Sequence, residues 1–147
     1  MSRSSLAWLL VAGLMVVPAA SAVAKSDSTR MVAAINKTRA THGLPALRQA
    51  PTLSRSSTRF AQHLMASDVF GHDSRIHASS RFRRVGEVLS ISRGLKLRPR
   101  GAVRGWMRSP SHRFLLLDRN FRFVGAGPAR GSFLGRSSTL WVAQFGS

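Results

Sequence analysis

The sequence predicts a single α+β domain in which helices pack on a small antiparallel sheet. Three segments carry apolar residues at intervals of three and four, the spacing of amphipathic helices. One segment alternates apolar and polar residues, and two β-rich runs near the C-terminus predict a hairpin. Helices and sheets each bury one apolar face, so this combination indicates a layered α+β domain. The chain contains no cysteine, so the core must be stable without disulfides.

The first 24 residues have the pattern of a cleaved signal peptide. Arg3 supplies a positive start, residues 6–17 form an apolar run, and Pro18 ends it. Small residues before positions 23 and 25 suit signal peptidase, which predicts cleavage after residue 22 or 24. The apolar run is too short for a permanent transmembrane helix, which needs roughly 20 apolar residues. We expect residues 25–147 to form one exported domain without a transmembrane anchor.

Two long helices are predicted in the first half of the exported chain. The first has an N-cap at Asp27 or Ser28 and is expected to stop near Gly43. The second begins near Pro51 and ends between residues 68 and 71. A third, shorter helix is predicted over residues 101–109, with Pro110 as its end. The apolar positions of the three helices are Met31, Val32, Ile35, Leu53, Phe60, Ala61, Leu64, Val103, Trp106 and Met107.

The predicted sheet comes from three segments. Residues 87–92 alternate in polarity, so Glu87 is expected to start a strand with one buried face. Residues 121–126 and 139–145 are expected to pair as a hairpin, with residues 127–138 as a turn rich in Gly, Pro and Ser. Residues 71–84 lack periodicity and predict a long surface loop.

The chain is strongly basic, with 23 Lys and Arg residues against 5 Asp and Glu residues. Removing the signal peptide takes away Arg3 and lowers the formal net charge from +18 to +17. Such a field attracts anionic partners, which include cell-wall phosphates, acidic polysaccharide, lipid headgroups and nucleic acid. Base-stacking aromatic residues are not interleaved with the arginines, so specific nucleic-acid binding is not expected. The excess of Arg over Lys is equally the product expected of a GC-rich coding bias.

Three polar residues are candidates for one shared site. His72 and His112 lie near turns, and Glu87 is the only glutamate of the chain. Two imidazoles and a carboxylate suffice for a zinc site with an open position for water. The carboxylate could instead orient one imidazole and so select the ring nitrogen that faces the metal. His77, in the predicted loop, is a further candidate ligand, although a solvated loop histidine is the simpler interpretation.

The residues alone leave three unrelated roles open as well. His72 could close a turn through a bond to the backbone. His112 could cap a helix or pair with Asp118. Glu87 could be a buried counter-ion, because an isolated carboxylate must find a cation or become neutral. The cations considered for Glu87 are Arg83, Arg84 and Arg113.

Seven motifs occur in register over nearly the whole exported chain and resemble those of the bacterial, SCP-like branch of the CAP superfamily. That superfamily groups cysteine-rich secretory proteins, antigen 5 and plant pathogenesis-related proteins. The motifs are Asn36-x-x-Arg39, Gly43-Leu44-Pro45-x-Leu47, Leu53 to Met65 with Phe70-x-His72, Gly86-Glu87, Trp106-Met107-x-Ser109-Pro110-x-His112-Arg113, Val124-Gly125-x-Gly127 and Trp141-Val142-x-Gln144-Phe145-Gly146.

The resemblance implies a three-layer α-β-α sandwich with a central antiparallel sheet and an open cleft. In animal and plant members, two histidines and two glutamates line this cleft, and the histidines can hold a divalent metal, often zinc. The resemblance assigns His72 and His112 to the histidines and Glu87 to the first glutamate. Ser109 occupies the position of the second glutamate, and Val88 stands where many relatives have asparagine. These departures leave three of the four cleft residues.

Two functions are compatible with these features. The first is a secreted, non-enzymatic binding module, associated with the envelope, whose His/Glu cleft holds a divalent metal such as zinc or a small ligand. The alternative is a metal-dependent hydrolase in which Glu87 acts as general base on water. The chain has no Gly-x-Ser-x-Gly elbow and no second glutamate for glycosidic cleavage. We therefore favour binding over catalysis.

Overall fold

The computed structural model describes residues 26–78 and 80–147, which form four helices and a four-stranded sheet. The predicted signal peptide lies outside these residues. In chain order the elements are α1 (Asp27–Thr41), β1 (Arg48–Gln49), α2 (Pro51–Ser67), β2 (Val85–Arg93), α3 (Pro99–Arg108), α4 (Pro110–Leu116), β3 (Phe123–Phe133) and β4 (Arg136–Gly146). Within the described part of the chain, no helix is long and apolar enough to cross a bilayer.

The strands are ordered β1-β3-β4-β2, so the C-terminal hairpin forms the centre of the sheet and β2 lies at one edge. The hairpin and β2 pair in antiparallel fashion, as predicted. The two-residue strand β1 adds a short parallel edge that the sequence did not predict. In the β2–β4 register, Glu87 lies directly opposite Gln144, which places these two side chains on the same face of the sheet.

Alternating residues of β4 divide the core into two clusters, one on each face of the sheet. Leu140 and Val142 pack with Phe60 and Leu64 of α2. Trp141 and Phe145 belong to the other cluster, together with apolar residues of α1, α3 and α4. The sheet therefore lies between α2 on one face and α1, α3 and α4 on the other. This arrangement confirms the predicted three-layer sandwich.

The predicted turn over residues 127–138 is wrong. The hairpin reverses instead at Leu134 and Gly135, which both have positive φ angles of 49° and 73°, as tight two-residue hairpin turns require. The glycines before this turn serve the packing of α2 on the sheet. A Cβ on Gly125 would lie 2.2 Å from the Ser54 amide nitrogen, and one on Gly127 would lie 2.5 Å from the Thr58 Cα. Their lack of a side chain allows the helix and strand backbones to approach.

The expectation that Pro110 ends the third helix is incomplete, because the same residue begins a fourth. Ser109 is extended, with φ −96° and ψ 120°, and separates α3 from α4. Proline is tolerated in a first helical turn, since that turn's N–H groups have no partner within the helix. His112 consequently lies in the first turn of α4 and not after the last helix of the domain.

A buried arginine ties α1 to the end of α4. The Arg39 side chain is inaccessible to solvent. Its Nη1 donates to the Leu116 carbonyl at 2.7 Å and to the Asp118 carbonyl at 3.0 Å, and its Nε donates to the Pro45 carbonyl. Carbonyls at a helix C-terminus lack partners within the helix, so the guanidinium satisfies groups that would otherwise be buried unpaired. This contact fixes α4, and with it His112, against the rest of the domain.

Candidate functional site

Three different elements supply the three predicted site residues. His72 follows α2, in the loop that leads to β2. Glu87 is the third residue of β2, the edge strand, and its side chain faces the α2 side of the sheet with Gln144. His112 comes from the first turn of α4. The edge position of β2 matters because a loop and a helix can both reach its side chains there.

The clearest feature of the site is the contact between His72 and Glu87. The His72 Nδ1 lies 2.9 Å from the Glu87 Oε1. The Glu87 side chain is 2% exposed, whereas that of His72 is 49% exposed. A buried carboxylate therefore holds an imidazole whose other side is open to solvent. With Glu87 ionised, this contact favours the tautomer with the proton on Nδ1 and leaves Nε2 as an unprotonated nitrogen.

The second oxygen of Glu87 is also engaged. The Gln144 side-chain amide donates to the Glu87 Oε2 at 2.8 Å. The Gln144 Oε1 in turn accepts a hydrogen bond from the Ser56 hydroxyl on α2. Because Gln144 is completely buried, these hydrogen bonds fix the position of the Glu87 carboxylate.

The contacts do not support Glu87 as the counter-ion of an arginine. Arg84 forms its ion pair with Asp118, whose other oxygen accepts from the Asn120 amide. Asp118 is the residue that the sequence offers as a partner for His112, and its two carboxylate oxygens are instead engaged by Arg84 and Asn120. The partners of Glu87 are an imidazole and an amide, so the carboxylate is stabilised by hydrogen bonds from those two groups.

The third predicted residue, His112, is half-buried. Burial lowers the pKa of His112, and the nearby charge of His72 lowers it further. Both effects favour the neutral imidazole at pH 7, which is the form that binds metals. The effect of His72 on the pKa of His112 supports the prediction that the two histidines lie near one another.

A compact three-ligand metal site is not present in residues 26–78 and 80–147. No group of three or more His, Cys, Asp or Glu side chains there is close enough to hold a metal ion. The residues instead fit a metal site with two imidazole ligands. The Glu87 carboxylate would support one of these rings and not bind the metal, because its Oε1 is occupied by His72. His77 lies in the exposed part of the loop, where its Nε2 is 3.5 Å from the Asp73 carboxylate.

Two further residues complete the description of the site. Ser109, at the position that the resemblance gives to a second glutamate, lies with its hydroxyl 3.3 Å from that of Ser111. Gln144 is a member of the site that the sequence reasoning missed. Its signal was present as the one amide side chain in an otherwise apolar stretch of β4, but its partner could be identified only from the strand register.

The fold and the motifs match one known family. The model of the cysteine-rich secretory protein family, CAP, matches residues 32–145. The chain belongs to this family.

Similar proteins are found in bacteria and in animals. The uncharacterized protein YkwD of Bacillus subtilis is 29% identical over 125 residues, which cover 79% of this chain and 45% of YkwD. This chain thus spans less than half the length of that relative.

Solved structures confirm the fold. An outer surface protein of Borrelia burgdorferi superposes with a TM-score of 0.66 and 19% identity, covering 82% of this chain and 92% of that one. An extracellular SCP-domain protein of Bacillus anthracis gives a TM-score of 0.64 at 20% identity, over 82% of this chain and 40% of its own. Venom allergen-like protein 4 of Schistosoma mansoni gives 0.66 at 11% identity, over 84% and 89%.

Proposed function

We propose that the protein is an exported CAP-domain binding module that holds a divalent metal such as zinc through His72 and His112. The observation that carries this proposal is the 2.9 Å contact between His72 and the buried Glu87 carboxylate. Histidines that bind metals commonly donate their second ring nitrogen to a carboxylate, which fixes the ring and raises its basicity. Glu87 occupies that supporting position.

The protonation states support the same assignment. Glu87 favours the His72 tautomer that presents an unprotonated Nε2 on the exposed side of the ring. The lowered pKa of His112 keeps its ring neutral at physiological pH. The neutral ring of His112 is therefore ready to donate without first losing a proton, and water can fill the remaining coordination positions.

The contacts of Glu87 favour binding over hydrolysis. A general base needs an oxygen within hydrogen-bond reach of the attacking water. Both Glu87 oxygens are already engaged, one by His72 and one by Gln144, and the side chain is 2% exposed. This carboxylate is suited to orienting an imidazole and poorly placed to take a proton from water.

Export and attachment to the envelope form the second part of the proposal. The N-terminal segment has the charge and hydropathy pattern of a signal peptide, and related proteins are described as extracellular or outer surface proteins. The formal charge of +17 after removal of that segment would keep an exported protein near anionic polymers.

Calorimetric titration of the metal-free mature protein with zinc tests the metal site. We expect one zinc per chain, with at least tenfold weaker binding in His72→Ala and His112→Ala. Glu87→Gln should weaken binding by about 10–100-fold, the usual effect of removing a supporting carboxylate. His63→Ala, an exposed histidine on α2, is the matched control and should bind as the wild type does.

The same variants distinguish the alternative function. Unchanged zinc affinity in both single-histidine variants would overturn the metal site. Turnover of peptidoglycan, peptide or ester substrates that requires His72, Glu87 and His112 would show that the protein is a hydrolase. Zinc binding without turnover is the result that the proposal predicts.

A further inference from the structure

A long groove separates α1 from α3 on the face of the sheet opposite α2. Two cavities of about 610 and 460 Å³ form it, and they share Ala34, Lys37, Arg100 and Arg104 as lining residues. The groove is therefore continuous. We call it the basic groove, and its cationic side chains are Arg30, Lys37, Arg98, Arg100, Arg104 and Arg108.

The charge of the basic groove is not neutralised by its own walls. None of its lining residues, all of which lie in the described part of the chain, is Asp or Glu. Asp27 pairs with Arg30 at 3.4 Å at one end. The ion pairs found among residues 26–78 and 80–147 do not include Arg100, Arg104 or Arg108, and these three side chains are exposed.

The cations of α3 form a regular row. Arg100, Arg104 and Arg108 are four residues apart, so they lie on one face of the helix at intervals of roughly 6 Å along its axis. Lys37 faces this row from α1. A row of guanidinium groups along a groove suits a chain with repeated negative charges better than a single small anion, and guanidinium recognises phosphate oxygens in a bidentate manner.

The floor of the groove indicates which polymer fits. Its apolar lining consists of small and aliphatic side chains such as Ala34, Val103 and Met107. Among the described residues, no Phe or Trp lines it, and Trp106 of the same helix is buried in the core. Proteins that bind single-stranded nucleic acids stack bases on aromatic side chains. The groove offers no such platform within this part of the chain, so a phosphate polymer without bases fits it better.

We infer that the basic groove binds a linear phosphodiester polymer whose repeating units are small polyols, as found in anionic envelope material. This inference extends the envelope association proposed above, because it assigns attachment to one surface of the protein, the basic groove. It does not depend on the His72 and His112 site, which uses other residues, so each proposal can fail without the other.

The test is binding of a fluorescein-labelled glycerol phosphate decamer, measured by fluorescence anisotropy over a salt series of about 50 to 300 mM NaCl. The groove variant is Arg100→Gln with Arg104→Gln. The matched control is Arg55→Gln with Arg59→Gln, which removes the same charge at the same spacing from an exposed patch of α2. Circular dichroism and thermal unfolding of each variant verify that the fold is intact.

We expect the groove variant to bind the decamer at least about tenfold more weakly at about 100 mM NaCl. Its plot of log affinity against log salt should be flatter by about 1.4, because two phosphate contacts are lost at about 0.7 each. The α2 variant should lose no more than about threefold. Equal losses in both variants would overturn the inference, since they would show that net charge alone attracts the polymer.

Two competitor polymers test the ligand class. A ten-residue thymidine oligonucleotide should compete no better than the unlabelled glycerol phosphate decamer, and polygalacturonate of equal charge should compete less well. Tighter binding of the oligonucleotide would assign the groove to nucleic acid instead. Equal competition by polygalacturonate would refute selectivity for phosphate.

Discussion

Replacing Trp106 tests how α3 is anchored to the sheet. The indole is 1% exposed, and its Nε1 donates to the Leu89 carbonyl of edge strand β2 at 2.8 Å. A buried tryptophan removes about 150–250 Å² from water, which at about 25 cal/mol per Å² corresponds to about 4–6 kcal/mol. Measured Trp→Ala substitutions in cores cost about 3–5 kcal/mol. We therefore expect Trp106→Ala to lower the free energy of unfolding by about 4 kcal/mol, a large share of the total for a small domain.

The phenylalanine variant separates the hydrogen bond from the packing. Trp106→Phe keeps most of the apolar surface but leaves the Leu89 carbonyl without its donor, at a cost of about 1–2 kcal/mol. Urea unfolding followed by circular dichroism measures both variants, with the dependence on urea concentration checked for a constant slope. A loss below about 1.5 kcal/mol for Trp106→Ala at constant slope would refute the assignment of this side chain to the core. Equal losses for both variants would refute the division between packing and hydrogen bond.

Three further predictions concern the fold and the site. Gly127→Ala should lower the free energy of unfolding by about 3 kcal/mol or more, since its Cβ would meet the α2 backbone. Gly105→Ala, which has open space around it, should instead stabilise α3 by about 0.5–1 kcal/mol. Urea unfolding measures both variants, and equal effects would be inconsistent with the close approach of α2 to the sheet. Arg39→Met should cost about 3 kcal/mol in the same assay by leaving buried carbonyls unpaired, and a change below about 1 kcal/mol would contradict its role. In the metal-free protein, the pKa of His112 measured by NMR should lie below the usual histidine value, and His72→Ala should raise it. Because folding lowers this pKa, its contribution to stability is lost as the pH falls from the usual histidine value through the lowered one. An unchanged pKa of His112 in His72→Ala would argue against the proposed proximity.

The layered architecture could be predicted from the sequence because the apolar spacing of each element is strong. Helices α1 and α2 and the edge strand β2 lie within a few residues of their predicted positions. The errors concern proline and glycine, which have more than one structural role. Pro110 ends one helix and also begins the next. The sequence predicts Gly127 in a turn, but this residue lies within strand β3, where helix α2 passes close by. Only the packed structure separates these roles.

The site was predictable in its residue types but not in its internal bonding. The scarcity of acids and the family resemblance singled out His72, Glu87 and His112. The sequence could not decide among the roles of Glu87, because its partners are separated from it by 15 residues, for His72, and 57 residues, for Gln144. Such pairs depend on the strand register and on the path of the loop. The structure shows that the oxygens of Glu87 contact an imidazole and an amide.

The pairing of His72 with Glu87 and its use in zinc binding are tested most directly by NMR of the imidazole nitrogens in the ¹⁵N-labelled protein, first without metal and then during addition of zinc. We expect His72 to carry its proton on Nδ1 in the metal-free protein. Zinc should shift the Nε2 signal of His72 and that of one ring nitrogen of His112 together, and the shifts should be complete at one equivalent. A His72 protonated on Nε2, or a zinc response confined to one of the two rings, would contradict it.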